Sequence, residues 1–450
     1  MMQETKEAAT TLKKEISLMQ ATLLVVGIVI GSGVFFKPAA VFKNAGAPGL
    51  GILAWVVGCV ITVAGALTIA EIGSAIPKAG GLFVYLKELY GEKWAFLLGW
   101  MQTVIYYPGM SAALAVVFAT QCTTFLDLSS TAQKAVSVGL IVFLTIVNIV
   151  STKFGAKFAS LFTIGKLVPI AVIIVCGLTM GKVHEFTPFV TSASTGAGFG
   201  TALLGVLFAY EGWIAVANMA EEMKNPAKDL PKAIILGMVI ITVAYLGVNL
   251  AIINTMPVDQ VAASQKAASD ASVILFGPIG AKLIAAGILV SITGCLSAFI
   301  MTGGRMPYAM AVDNLFIFKG FFGKLSEKSS TPANAVIFQS TLAAAYALSG
   351  SFETLTNLAT FAMWLFFILG IAGVFRLRRN FKHLIPENSY KVPLYPIIPI
   401  VGVIGALYVV ISTLITGTMN ALFGIGLTLI GLPIYMYVKK TDSTKKDAAM

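Results

Sequence analysis

The chain is built from long apolar blocks, and their length decides most of what it can become. Twelve are readable, at residues 17–42, 48–72, 94–121, 134–151, 157–181, 198–221, 231–254, 279–303, 332–350, 356–376, 394–417 and 420–438. A helix needs about 20 apolar residues to cross the hydrocarbon core of a bilayer, and these blocks reach or approach that length. They are apolar throughout, whereas strands of a membrane barrel alternate polar and apolar residues. The pattern predicts an all-α polytopic membrane protein with twelve transmembrane helices. Composition agrees: 57% of the 450 residues are hydrophobic and 11% are charged, against about 25% charged in a soluble domain. So few charges cannot cover a water-facing surface, and a disordered chain would be polar.

The charges that do occur are sorted. There are 31 Lys and Arg against 20 Asp and Glu. In a soluble protein that excess would suggest nucleic acid; here the basic residues fall between apolar blocks, which is a topological signal, and no nucleic-acid partner is expected. Of the 31, 24 lie in connections on the side of the N-terminus, and six on the other: Lys37, Lys43, Lys134, Lys182, Lys266 and Lys282. The remaining one, Lys166, is inside the fifth block. The bias predicts cytoplasmic termini (tails 1–16 and 439–450) and an even number of spans in a cell membrane. Met1–Gln20 is polar and leads into the first span without a convincing cleavage site.

Cys59, Cys122, Cys176 and Cys295 show no CxxC spacing, and His184 and His383 fall in connections. No metal, cofactor or disulfide framework is therefore expected. A membrane-embedded transferase would need a His or paired carboxylates inside a span, and none is found there.

Two blocks are interrupted. Block one carries Gly27-Ile-Val-Ile-Gly-Ser-Gly-Val-Phe-Phe-Lys-Pro38, with three glycines in seven residues; block six, five spans later, carries Phe208-Ala-Tyr-Glu-Gly-Trp213. An unwound turn frees backbone N–H and C=O groups at membrane depth, tolerated only where protein, water or a ligand satisfies them. A zwitterion satisfies both kinds: its carboxylate takes N–H groups at a half-helix N-terminus, and its ammonium takes freed carbonyls. Paired interrupted helices in matching halves are the sequence sign of a transporter site. For block one alone, Gly31-Ser32-Gly33 reads equally well as a close-packing surface; the second break weighs against that.

With these motifs the chain resembles the L-amino acid transporter branch of the amino acid–polyamine–organocation superfamily, closest to bacterial serine/threonine and alanine–serine–cysteine exchangers. The likeness runs over almost the whole chain. It includes Gly27–Pro38, Ala70–Gly81, Thr163-Ile-Gly-Lys166-Leu, Leu207–Trp213 and Glu221–Pro226. It implies a LeuT-type fold of two five-helix inverted repeats with helices 1 and 6 unwound. The repeats would fall at 17–181 and 198–376, followed by two helices within 394–438. The implied function is sodium-independent exchange of small neutral L-amino acids by alternating access. A proton-coupled symporter of the same fold is the alternative, with Lys166 or Glu211 titrating.

The resemblance also assigns residues. Backbone N–H groups of Gly31, Ser32 and Gly33 would bind the substrate carboxylate, and the carbonyls of Val29 and Phe208 the ammonium. The Phe208 ring would close the outer side. Glu211, the carboxylate inside block six, reads as a substrate contact or proton relay, or as a cap on the broken half-helix, or as a side chain in water at the cavity edge. Lys166 would take the place of a second sodium ion and bridge the carbonyl near Gly27 to helix eight at Ser291, Thr293 and Ser297; snorkelling is the other reading. Tyr245 reads as a cavity-lining residue or as a core tyrosine. Glu71 reads as a structural ion pair with a loop Lys or Arg, with Glu221, Glu222 and Arg305 on the same side. The segment Thr123–Gln133 lacks the cysteine that joins animal relatives to a single-span glycoprotein, so no heavy-chain partner is expected.

Overall fold

A computed structural model describes residues 17–76, 81–150, 167–214, 223–326, 331–387 and 389–447. Among these residues the secondary structure is helical, with no strands. Block one forms two helices, α1 (Leu18–Val29) and α2 (Gly33–Ala45). Then come α3 (Pro48–Ala75), α4 (Gly81–Tyr90), α5 (Glu92–Cys122) and α6 (Ser130–Val150). They are followed by α7 (Leu167–Met180), α8 (Gly196–Ala209) and α9 (Pro226–Thr255). The second half continues with α10 (Val258–Ala263), α11 (Ala267–Gly303), α12 (Arg305–Val312) and α13 (Lys319–Phe322). It ends with α14 (Ala333–Ser349), α15 (Phe352–Asn380), α16 (Ile397–Thr416), α17 (Thr418–Leu429) and α18 (Gly431–Asp447).

Among the described residues eight helical stretches are long and apolar enough to cross a membrane, with α11 and α12 counted as one and α17 and α18 as one, and α1, α7 and α8 supply shorter apolar helices. Each of the twelve blocks contains helix. Local chemistry sets the ends. Ser17 caps α1 through a capping box with Gln20, satisfying two of the donors a helix start leaves free. Pro48 opens α3, where its missing N–H costs nothing. Gly277, at φ 67°, followed by Pro278, bends α11, so the apolar span begins after the bend, where block eight begins.

The connection after block two holds a helix that the apolar pattern does not reveal. Helix α4 buries Leu82, Tyr85, Leu86 and Leu89, a stripe at helical spacing. Tyr90 donates its hydroxyl to the Leu369 carbonyl of α15 at 2.9 Å.

Helix α8 packs on α2, α3 and α16, while α9 packs on α1, α3 and α7. Helix α11 lies against α5, and α15 against α3, α5 and α16. The two interrupted segments therefore meet in the interior. At one end, Glu71 of α3 is fully buried and takes Arg378 of α15 in a bidentate pair at 2.7 and 2.8 Å. Its Oε2 also accepts the Val392 N–H at 2.7 Å. The acid expected to make a structural ion pair makes it with Arg378, near the end of α15.

Candidate functional site

The first break is short. Helix α1 stops at Val29, Ile30 is extended (φ −68°, ψ 100°), and α2 restarts at Gly33 with Ser32 as N-cap. The first N–H groups of α2 have no intrahelical acceptors, so a half-helix start faces the interior. The second break follows α8. The chain turns through Tyr210 and Glu211, and Gly212 takes φ 112°, a left-handed conformation that favours glycine.

The two breaks touch. A Cβ placed on Gly33 would stand 2.6 Å from the Ala209 Cα and 2.8 Å from its Cβ. Glycine is needed here because the backbones of α2 and α8 are in contact. The Tyr245 hydroxyl of α9 lies 3.0 Å from the Val29 carbonyl and 2.9 Å from the Ala209 carbonyl. One proton serves the last carbonyl of each broken half-helix. Trp55 holds the tyrosine ring edge-on at 5.4 Å.

Beside this junction is a cavity of about 60 Å³. Val29, Gly31, Ser32 and Gly33 line it from the first break, and Phe208, Ala209, Glu211 and Gly212 from the second. Met110 and Leu114 of α5, and Cys295 and Phe299 of α11, complete the wall. These four carry no sequence signal of their own, being apolar or thiol residues inside apolar blocks. Tyr245 is not on the wall; it is fully buried behind the breaks.

Glu211 is the charged group of the wall. Its Oε1 accepts the Tyr106 hydroxyl at 3.1 Å, and its Oε2 is buried with no hydrogen-bond partner among the described residues. The buried Ser32 hydroxyl is also without a partner. Buried polar atoms are normally satisfied, and exceptions need a reason. Tyr106 reaches Glu211 from a π-helical turn in α5, Gln102–Tyr106. Such turns re-aim side chains and recur at functional sites.

Phe208 is 6% exposed and packs edge-on against Phe352 at 5.6 Å. Lys37 overturns its place among the connections of the sparsely charged side. Because α2 restarts at Gly33, Lys37 falls in its second turn and is fully buried. Ser297 Oγ accepts from Asn148 at 3.1 Å, and Ser291 Oγ is buried without a partner among the described residues. Gly27 lies in α1 and Thr293 bonds within its own helix. Lys166, Glu221 and Glu222 lie outside the described residues. Arg305 is exposed at the head of α12.

Comparison with known proteins gives a consistent result. The family model for amino acid permeases matches residues 16–437. The serine/threonine exchanger SteT of Bacillus subtilis (strain 168) is 41% identical over 434 residues, covering 96% of this chain and 98% of that one. The b(0,+)-type amino acid transporter 1 of Homo sapiens is 30% identical, covering 96% and 89%. The human cystine/glutamate transporter is 30% identical, covering 94% and 85%.

Proposed function

The chain belongs to the amino acid permease family, a family of membrane transporters rather than enzymes, and from that premise we propose that it exchanges small neutral L-amino acids without sodium. Twelve spans with a LeuT-type arrangement, repeats at 17–181 and 198–376, and cytoplasmic termini belong to the same reading.

One observation carries it: a small cavity at the meeting point of two broken helices, with a half-helix start and a half-satisfied carboxylate on its wall. The N–H groups at the start of α2 suit a carboxylate, and positive charge at a helix start adds to the attraction. The ammonium faces the Val29 carbonyl, whose second lone pair remains beside the Tyr245 bond, and the Phe208 carbonyl. Glu211 Oε2 is the further acceptor on the wall and serves as a substrate contact. The cavity of about 60 Å³ is several times the roughly 10–15 Å³ that a single water requires. A site this small suits a small amino acid better than a large aromatic one. The similarity to a serine/threonine exchanger points the same way.

The test is trans-stimulation. Purified protein in liposomes is loaded with serine, alanine, threonine or nothing, and uptake of labelled serine is measured in sodium-free buffer. Uptake should require internal small amino acid and ignore an inward proton gradient. Uptake into empty vesicles driven by that gradient would replace exchange with proton coupling.

A further inference from the structure

We propose that Lys37 is the latch of the outer gate: its buried ammonium ties the Phe208 gate and helix α2 to helix α15, and holds the cavity closed on that side. The proposal rests on the transporter reading of the same cavity and takes its sense of inside and outside from the charge bias.

The placement comes first. Lys37 is four residues beyond Gly33, about 6 Å further along α2 at 1.5 Å per residue. It therefore stands above the cavity, on the side away from α1. Its ammonium donates to Thr356 Oγ1 at 2.6 Å and to Asn357 Oδ1 at 3.2 Å, both on α15. Thr356 directs its own proton to the Phe352 carbonyl at 2.8 Å, leaving its oxygen lone pairs for the lysine. The ammonium also lies over two rings, 5.1 Å from the Phe208 centroid and 5.2 Å from that of Phe352. Both distances are within cation–π reach. The acidic group that acts on it is Glu353, at the head of α15.

The choice of residue is informative. Burying an ammonium is costly unless its donors are occupied, and a methionine could fill the same space without that cost. The lysine adds directional ties, and these join two bodies. On one side are α2 and α8, in backbone contact at Gly33 and Ala209, with the lysine stem along Gly205. On the other is α15. Opening the cavity between them must pull Phe208 from Phe352 and Lys37 from both acceptors in one movement. The ties exist only while the gate is shut, so they shift the balance of states.

Cys295 on the cavity wall reports this directly. In a protein whose Cys59, Cys122 and Cys176 are replaced by alanine, a membrane-impermeant thiosulfonate is applied to right-side-out cells and to inverted vesicles. Lys37→Met should raise the outside labelling rate about tenfold and lower the inside rate. Equal rates in the variant and its parent, or a rise from both sides as general loosening would give, overturn the latch. If Lys37→Met fails to fold, Asn357→Leu, which removes one acceptor, is judged by the same two rates with a smaller rise. Protection of Cys295 by serine in the parent tests the transport reading separately. Its absence would refute the substrate assignment, while the sidedness of labelling would still decide the latch.

Discussion

Gly33→Ala is the sharpest perturbation of the site, because its effect is set by backbone atoms that cannot rotate away. The added Cβ would stand 2.6 Å from the Ala209 Cα, where non-bonded carbons rest at about 3.5–4.0 Å. Helices α2 and α8 must part by about 1 Å. Overpacking of this kind costs about 1–3 kcal/mol, enough to lower the thermal midpoint of the detergent-solubilised protein without abolishing folding. The same shift moves the N–H groups of one break away from the carbonyls of the other. A misplacement of about 1 Å costs on the order of a hundredfold in function. Serine exchange in liposomes, at matched protein content, should therefore fall about a hundredfold in kcat/KM. Adding Ala209→Gly removes the Cβ at 2.8 Å but not the Cα at 2.6 Å, so rescue should be partial. Gly31→Ala is the control. Its Cβ would meet the Cys295 Sγ at 3.6 Å and the Val29 carbonyl oxygen at 3.9 Å, ordinary contacts on the cavity wall. That variant should keep the wild-type midpoint and raise KM, more for threonine than for alanine. Wild-type kinetics in Gly33→Ala, or a larger loss of midpoint in Gly31→Ala, would refute the contact argument.

Tyr245→Phe removes the proton shared by the Val29 and Ala209 carbonyls; leaving a buried acceptor unmet costs about 1–3 kcal/mol, read as a lower thermal midpoint, and an unchanged midpoint would count against the bridge. Glu211→Gln should raise the serine KM about tenfold to a hundredfold, the worth of a hydrogen bond to a charged group, whereas an unaltered KM would remove Glu211 from the substrate contacts. Glu71→Gln and Arg378→Gln, alone and together, should give midpoint losses that fail to add, because the two side chains form one hydrogen-bonded unit; additive losses would argue against it. Lys166→Ala should keep expression but lose most exchange, and wild-type exchange rates in liposomes would dismiss the bridging role.

The apolar helices are legible because a bilayer demands long apolar runs, and such runs need no tertiary information to be seen. The breaks were legible for the related reason that Gly31-Ser32-Gly33 and Glu211-Gly212 violate the rule inside those runs. Lys37 was hidden by the same logic. Counting charges by side places Lys37 with the connections although it falls within block one, and the restart of the helix at Gly33 carries it inward. Tyr245 and Tyr106 are two of thirteen tyrosines. Their partners, Val29, Ala209 and Glu211, are 216, 36 and 105 residues away in the chain, a separation that no local pattern encodes.

How completely each buried charge is satisfied separates their roles. Glu71 takes three donors, two from Arg378 and one from the Val392 backbone. With both oxygens held by the protein, this carboxylate acts as a fixed joint. Lys37 has two acceptors and two ring faces, and three of the four, Thr356, Asn357 and the Phe352 ring, belong to α15, which must part from α2 and α8 for the cavity to open on that side. Its satisfaction depends on the state of the gate. Glu211 has one oxygen held by Tyr106 and one without a partner. A group that is half satisfied by the protein, on the wall of a cavity, is completed by what enters it. In a chain with so little charge to spend, this grading from saturated to state-dependent to incomplete distinguishes scaffold, gate and site.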